Sequence, residues 1–556
     1  MKRNFSQFCD QDYDILIIGG GIYGIACARE AAFRGLKVGL VEKNDFGGQT
    51  SANSAKIAHS GMRYLQHLDI IRMRESIRER NNMHQLAPHL VESQPFLMPV
   101  YGHGIKGKET FSIYMKIYDW LSPERKRFKD PYRKVPDSRF ITKEEVISIF
   151  PDVEQKGLTG AIIWYEGQMQ NTERLSFAML ASAEKAGAIF LNHAEVTGFV
   201  VENNAIKSVT IKDSVKGLSR IVSCPFVINA SGPWSKNIFK LIDHPIRDHG
   251  IYASKAFSLL TRSVSDKYAI TFPIRSMYLD KKAVVDKKSS LQFAIPWRGK
   301  SMFASLHLAC EDDLEKVTIT KEEINLYIQR INEGYPNINL SENDIDHILW
   351  GIIPAESKGS AAPLKHYKII DHQNKDGLRG FITVLGVKYT TARDVAVKAI
   401  DAIGKYFSDI KPKSNTDKIA FGGGDMDYFE DFLLNAKDKY KDKFSSSIID
   451  KLIKTYGTDF EAVLSLVMEE PLLGEVISGT NILKAQIIYA MREEMAIHLG
   501  DVMMRRTDMG SLEYPGKEIV QSVVNIMSIE LGWNQDMMQQ EIKMLKKNYL
   551  TLGNKV

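Results

Sequence analysis

Cysteine is scarce and scattered in this chain. Its four residues, Cys9, Cys27, Cys224 and Cys310, lie too far apart to read as a disulfide framework or a paired-cysteine metal site. A reducing, cytoplasmic setting is the simplest expectation. Long apolar runs are missing too: none approaches the ~20 residues that a membrane-spanning helix needs, and the opening MKRNFSQFCDQDYD lacks the apolar core of a signal peptide. Membrane contact is therefore expected to be peripheral. Neither sign of charge prevails, since 73 Lys and Arg face 68 Asp and Glu for a net +5. That balance argues against a nucleic-acid partner and suits an anionic substrate or lipid face. Glu493, Glu494 and His498 do not complete the H-E-x-x-H pattern of a zinc site, so no metal chemistry is expected.

What is present begins at DYDILIIGGGIYGIACAREAAFRGLKVGLVEK, Asp12–Lys43. The apolar run to Ile18 reads as a buried strand, Ile22–Arg34 as a helix and Lys37–Val41 as a second strand, so the segment is a βαβ unit. Gly19, Gly21 and Gly24 fit G-x-G-x-x-G. The first permits the tight turn, the second lets backbone approach a pyrophosphate, and the third lets helix pack on strand. The diphosphate is expected at the helix N-terminus. Glu42, at the end of the second strand, can accept both hydroxyls of an adenosine ribose. FAD and NAD both satisfy this pattern.

With 556 residues the chain has room for two or three domains. Residues 12–95, 157–240 and 350–408 read as one discontinuous nucleotide domain, because each ends a buried strand at a glycine-containing turn. Residues 96–156 and 241–349 would form a substrate cap. The Lys-, Ser- and Gly-rich stretch 408–425 reads as a linker, and 426–556 as a helical domain. Within it Ile488, Met491, Met495, Leu499 and Val502 recur at helical spacing, which predicts one amphipathic helix.

The segment TSANSAKIAHSGMRYL, Thr50–Leu65, is rich in small and hydroxyl side chains that can donate to a ligand at close range, with Lys56, His59 and Arg63 adding cationic groups. Together with the glycine motif, GPW at Gly232–Trp234, GVKYTTARD at Gly386–Asp394 and the C-terminal IIYAMREEMAIHLGDVMMRRTDMG and IELGW, it resembles the FAD-dependent glycerol-3-phosphate dehydrogenase family over nearly the whole chain. The resemblance implies an α/β fold: a Rossmann-like FAD-binding domain of the glutathione-reductase/DAO type, a mixed-sheet substrate domain and a C-terminal all-α domain. It implies oxidation of sn-glycerol 3-phosphate to dihydroxyacetone phosphate by hydride transfer to flavin N5, with electrons passed to quinone or another acceptor. It also admits peripheral membrane contact and a homodimer.

On this reading FAD is held by Gly19, Gly21, Gly24, Glu42, Thr50, Ser51, Ser54, Gly232, Gly386, Thr390 and Thr391. Oxidising a carbinol needs a base for the hydroxyl proton, and His59 matches the family's flavin-facing histidine; the alternative is a histidine that merely orients flavin or backbone. Arg63 and Lys388 match substrate positions and complete the catalytic set, and Tyr64, Lys365 and Arg393 are the further substrate-binding candidates. Thr390 is the candidate N-cap of the helix that follows. The pattern breaks on the substrate side. Ile353 in GIIPAE replaces a family arginine, Lys365 replaces a second and loses its planar fork, and FASLHL at Phe303–Leu308 replaces the family's Gly-Thr-Thr-Asp run. Lys358 or His307 is a candidate replacement donor. The competing readings are a flavoenzyme of the same fold acting on another alcohol, amine or anionic polyol, and a non-catalytic flavin-binding protein. Finally, RKRFKDPYRK at 125–134 holds six bases and one acid and is expected to lie on anionic lipid or form a solvated basic rim.

Overall fold

Ile15–Ile18 and Val38–Val41 are fully buried strands, as continuous apolar runs must be when both faces of a sheet are covered. In the computed structural model, which describes residues 1–549 except 63, 65–68, 104–106, 127, 276, 278–288 and 312, they pair in parallel with Ile15 opposite Val38. The chain divides into two compact units, Met1–Ala52 with Asn171–Tyr252 and Leu364–Tyr549, and Asn53–Gln170 with Ala253–Pro363.

In the first unit the six-stranded sheet runs Lys368–Asp371, Phe381–Leu385, Val227–Asn229, Ile15–Ile18, Val38–Val41, Ile189–Leu191. All neighbours are parallel except the first pair. A three-stranded antiparallel sheet, Ala194–Glu202, Ala205–Asp213 and Ser219–Ser223, stands beside it in sequence. The helices from Phe429 to Lys546 belong to the same unit, and two apolar cores lie among them. The stretch read as a linker is pinned down: Lys411 N donates to Arg34 O at 3.0 Å and Gly422 N to Ala178 O at 2.7 Å. The buried Arg29 guanidinium donates to the carbonyls of Thr416 and Ile419. Asp45, just past the second strand, accepts from Arg505 and Arg506, and all three charges are largely withdrawn from water.

The periodic run from Ile488 to Val502 is not one helix. Helix Lys484–Glu493 ends, Met495 takes a left-handed φ of 56°, and a short helix, Leu499–Asp501, leads into a π turn at Val502–Arg506. Four of the five apolar side chains are nevertheless buried. Their spacing reports burial correctly but is blind to the backbone break.

The second unit is built on a nine-stranded sheet. Val91–Tyr101 pairs antiparallel with Leu158–Met169 along its whole length, which is why 53–95 and 157–170 fall here and not with the nucleotide sheet. Ladder hydrogen bonds between distant strands outweigh adjacency in sequence. Residues 350–363 follow for a similar reason, since Ile345–Ala355 forms an edge of this sheet. The helix Lys321–Gly334, started by a Thr320–Glu323 capping box, contributes Ile324, Tyr327, Ile328 and Ile331 to the core. Of the basic run at 125–134, Arg125 is buried between Asp119 and Asp137 and Arg133 and Phe128 are buried too. Lys129, Tyr132 and Lys134 are exposed, and Arg127 lies outside the described residues. The segment is thus partly a structural ion-pair site and not a uniformly solvated basic face.

Candidate active site

Four sequence motifs meet at one edge of the parallel sheet because each directly follows a strand. Gly19 follows Ile15–Ile18, Glu42 follows Val38–Val41, Gly232 closes the turn after Val227–Asn229, and Gly386 follows Phe381–Leu385. In open α/β sheets ligands bind at the carboxyl ends of the strands.

The glycine turn has little freedom. A Cβ on Gly24 would lie 1.9 Å from Gly19 O, which leaves room only for hydrogen. Gly19 itself takes φ +106°. Helix Ile22–Phe33 starts at Gly21, which offers no side chain to cap it. Ser51 Oγ accepts from Ile22 N at 3.0 Å, so this hydroxyl stands at the helix start where an anion is favoured by the exposed amides. Both Glu42 oxygens are engaged, Oε2 by Gly20 N at 2.6 Å and Oε1 by Asn44 N at 2.8 Å. A carboxylate has about four acceptor sites, so two amides leave capacity for a ribose diol. Burial pushes this carboxyl above its usual range despite the two amide donors. The uncovered backbone, the helix start and the acid fit the adenosine diphosphate half of FAD.

The Gly386 turn is organised by a residue the sequence reading passes over. Tyr23, inside the glycine motif, places its ring where a Gly386 Cβ would sit, 1.8 Å away. Its hydroxyl donates to Lys388 O at 2.6 Å and accepts from Val387 N and Lys388 N at 3.1 Å. Tyr389 anchors the other side, donating to Thr172 O at 2.9 Å. Lys388 is therefore carried on a turn clamped by two phenols. The only advance signal is an aromatic side chain between the second and third glycines, since its partner is 365 residues away.

Thr391, not Thr390, is the N-cap of helix Ala392–Ile403, and its side chain makes no cap hydrogen bond; Thr390 is buried. Arg393 donates to Thr416 Oγ1 at 3.3 Å, and that hydroxyl donates to Glu30 at 2.7 Å. Arg393 thus stands in the structural network that pins 411–422. Lys365 is half-buried and Thr50 lies in a turn.

In the second unit, Ile57–Ala58 pairs with Gly167–Gln168, and this register delivers His59 and Ser60 to Glu166. His59 Nδ1 lies 3.3 Å from Glu166 Oε1. The same carboxylate accepts from Ser60 N at 2.7 Å, Ser60 Oγ at 2.6 Å and Trp164 Nε1 at 3.1 Å, and Arg80 Nη1 stands 3.8 Å from Oε2. Glu166 and Arg80 are fully buried, whereas the His59 side chain keeps 35 % of its surface. Burial alone would raise the Glu166 carboxyl, but His59, Arg80 and Ser60 together hold it below the usual range. An ionised carboxylate only accepts, so in this contact His59 donates through Nδ1. Glu166 and Arg80 were not found from the sequence, because neither sits in a recognisable pattern.

Ser54 Oγ accepts from Lys56 N at 3.2 Å. Tyr64 is buried, with its ring beneath the Arg72 guanidinium at 4.6 Å. Ile353 is half-buried on strand Ile345–Ala355, His307 is half-buried and Lys358 is exposed. Arg63 lies outside the described residues.

Residues 14–405 match the model of the FAD dependent oxidoreductase family, and 414–538 match the C-terminal domain of alpha-glycerophosphate oxidase. A glycerol-3-phosphate dehydrogenase from Synechocystis sp. is 30% identical over 97% of either chain. One from Mycobacterium leprae is 28% identical over 97% of this chain and 88% of its own. Among solved structures, a Bacillus halodurans glycerol-3-phosphate dehydrogenase complexed with FAD superposes with a TM-score of 0.75 at 21% identity, covering 98% of this chain and 95% of that one. An FAD-bound L-alpha-glycerophosphate oxidase from Mycoplasma pneumoniae gives 0.51 at 16% identity over 73% of this chain and 98% of its own. A strand-end edge built for a dinucleotide and likeness through both the oxidoreductase and the C-terminal domain lead to one assignment: the chain belongs to the FAD-dependent glycerol-3-phosphate dehydrogenase family.

Proposed function

We propose that this protein oxidises sn-glycerol 3-phosphate to dihydroxyacetone phosphate, with quinone or another acceptor taking the electrons onward. The observation that carries the reading is His59, held by Nδ1 on a buried carboxylate with its ring part-open, in a chain of this family. FAD, when bound, would supply the two-electron oxidant for the carbinol C–H bond. His59 Nε2 takes the hydroxyl proton as hydride leaves the carbon, so that positive charge does not build up on the forming carbonyl oxygen. Lys388, presented by the clamped turn, is assigned to the substrate with Arg63, Tyr64, Lys365 and Arg393, the cations serving the phosphate dianion. Gly19, Gly21, Gly24, Glu42, Thr50, Ser51, Ser54, Gly232, Gly386, Thr390 and Thr391 are assigned to FAD. With Ile353 in place of an arginine, the phosphate rests on fewer planar forks, and weaker substrate binding is expected before slower chemistry.

Among the described residues no helix is long and apolar enough to cross a membrane. A peripheral contact is supported by helix Lys108–Trp120, which turns Met115 and Tyr118 inward and leaves Ile113, Ile117 and Trp120 exposed at 61%, 38% and 79%. An apolar strip with cations nearby suits an anionic bilayer surface.

Anaerobic mixing of the flavin-loaded protein with sn-glycerol 3-phosphate should bleach its yellow colour at catalytic rates. Bleaching by a different polyol phosphate alone would reassign the substrate, and no bleaching by any would reject the reading.

A further inference from the structure

We propose that Glu166 is a positioning residue for the oxidation: it locks His59 as the Nδ1–H tautomer, aims Nε2 as the base, and stabilises the imidazolium formed when Nε2 takes the substrate's hydroxyl proton. The inference rests on the assignment of His59 as that base and deepens it.

The geometry requires a specific device and not a generic polar core. Glu166 is a fully buried carboxylate on a strand interior, a placement that costs several kcal/mol unless the charge is paired and hydrogen-bonded. Three donors, Ser60 N, Ser60 Oγ and Trp164 Nε1, saturate most of its acceptor sites. The remaining contact is His59 Nδ1. Ser60 binds through backbone and side chain alike, so the chain segment bearing His59 is itself tied to the carboxylate. Phe96 and Phe293 rings stand 6.1 and 5.2 Å from the imidazole and flank it. The ring is therefore held by the contact to Glu166 and flanked by two apolar rings.

Among the described residues, Arg80, His84 and Tyr118 face the pair from neighbouring helices. From helix Ile70–Leu86, Arg80 and His84 face Glu166. Arg80 brings a permanent positive charge, while His84 is pushed down to about 3 by burial and by Arg80 and so stays neutral. From helix Lys108–Trp120, Tyr118 donates nothing ionic, since burial raises its phenol, and its hydroxyl accepts from Arg80 at 2.6 Å. Arg80 neutralises Glu166 at longer range, its guanidinium hydrogens spent on Tyr118, Tyr165 O, Asn81 and Ser122. The carboxylate remains charged without being consumed by a bidentate pair, and it can respond to a proton arriving on His59. When the base is charged, the local charges read Arg80 positive, Glu166 negative, His59 positive.

The test compares wild type with E166Q, and does so first without substrate. With histidine labelled with 15N and His59 assigned through H59N, the wild-type ring should show a protonated Nδ1 and a pyridine-type Nε2, and E166Q should lose that tautomer preference. Flavin reduction by sn-glycerol 3-phosphate should slow about 100-fold in E166Q, the scale of a lost general base, with KM changed less than threefold. Flavin content and melting temperature separate these effects from misfolding. If E166Q does not fold, E166D, which keeps the charge and withdraws it by one methylene, should show the same changes at smaller size. Unchanged His59 nitrogen shifts, or flavin reduction at the wild-type rate in the folded variant, would overturn the proposal. Failure of wild type itself to be reduced would instead count against the functional reading, while the tautomer measurement still decides the role of Glu166.

Discussion

At the scale of single residues, side chains in this protein are chosen for what they leave out as much as for what they contribute. Gly24 is the sharpest case: with Gly19 O 1.9 Å from where its Cβ would be, no flexible neighbour can yield, and helix must separate from strand. Gly24→Ala should cost about 1–3 kcal/mol as an overpacking change and should release FAD. Purified variant protein is expected to be pale, with a lowered thermal midpoint that excess FAD restores only in part; full colour and wild-type stability would show that the turn has slack. Glu166 and Tyr23 act in the opposite sense, supplying hydrogen bonds that the segments bearing His59 and Lys388 cannot make for themselves. The glycines are singled out in the sequence by their spacing, and His59 and Lys388 by the family resemblance of their segments. Their supports are not, because a glutamate in a strand and a tyrosine in a helix look like any others until the register of Ile57–Ala58 on Gly167–Gln168 and the packing of Tyr23 on Gly386 are known.

At the scale of elements, one helix stands out for its two apolar sides. Lys108–Trp120 buries Met115 and Tyr118 yet exposes Ile113, Ile117 and Trp120 at i, i+4 and i+7, a stripe that water alone does not favour. The protein is therefore expected to co-float with anionic phospholipid vesicles at low salt. I113S/I117S/W120S should reduce the floated fraction at least tenfold while leaving flavin content intact. Wild-type protein remaining at the bottom of the gradient would refute the lipid contact, and equal flotation with neutral vesicles would assign it to apolar insertion and not to the exposed Lys129 and Lys134. The basic run 125–134 is not the uniform basic face that its composition suggests. Two of its bases are buried, one of them between two aspartates, and composition does not say which way a side chain turns. The same limit explains the broken helix near Met495: apolar spacing records which residues face a core, whereas a left-handed residue between two helical turns keeps the spacing and alters the path.

At the scale of the whole molecule, buried histidines make the fold acid-sensitive. Burial first, and then cationic neighbours, hold His84 at about 3 and His347 at about 4, down from 6.5. Between pH 6.5 and 4 the unfolded chain binds these protons and the folded chain does not, so stability falls as pH falls, by about 1.4 kcal/mol per pH unit for each histidine. His498 works in the other direction, since Glu541 and Asp501 raise it against burial. Asp376 is held at about 2, by His372, His249 and Arg247 acting against burial; its contribution is complete above 3.8 and is lost only as pH drops towards 2. Urea midpoints should decline steadily from pH 7 to 4.5, and H84Q/H347Q should flatten that slope. A pH-independent midpoint in wild type would show that both rings are hydrated and titrate normally.

The order of apolar runs, glycines and one acid was sufficient to determine the βαβ dinucleotide element, because it depends on residues close together in the chain and on backbone geometry that only glycine allows, while motifs spread along the chain carried the family likeness. The partition into units, the anchoring of 411–422 and the partnership of His59 with Glu166 were decided by tertiary structure. They depend on strand registers and buried charge pairs between residues tens to hundreds of positions apart, where the free energy of a contact exists only once the rest of the fold has brought its partners out of water.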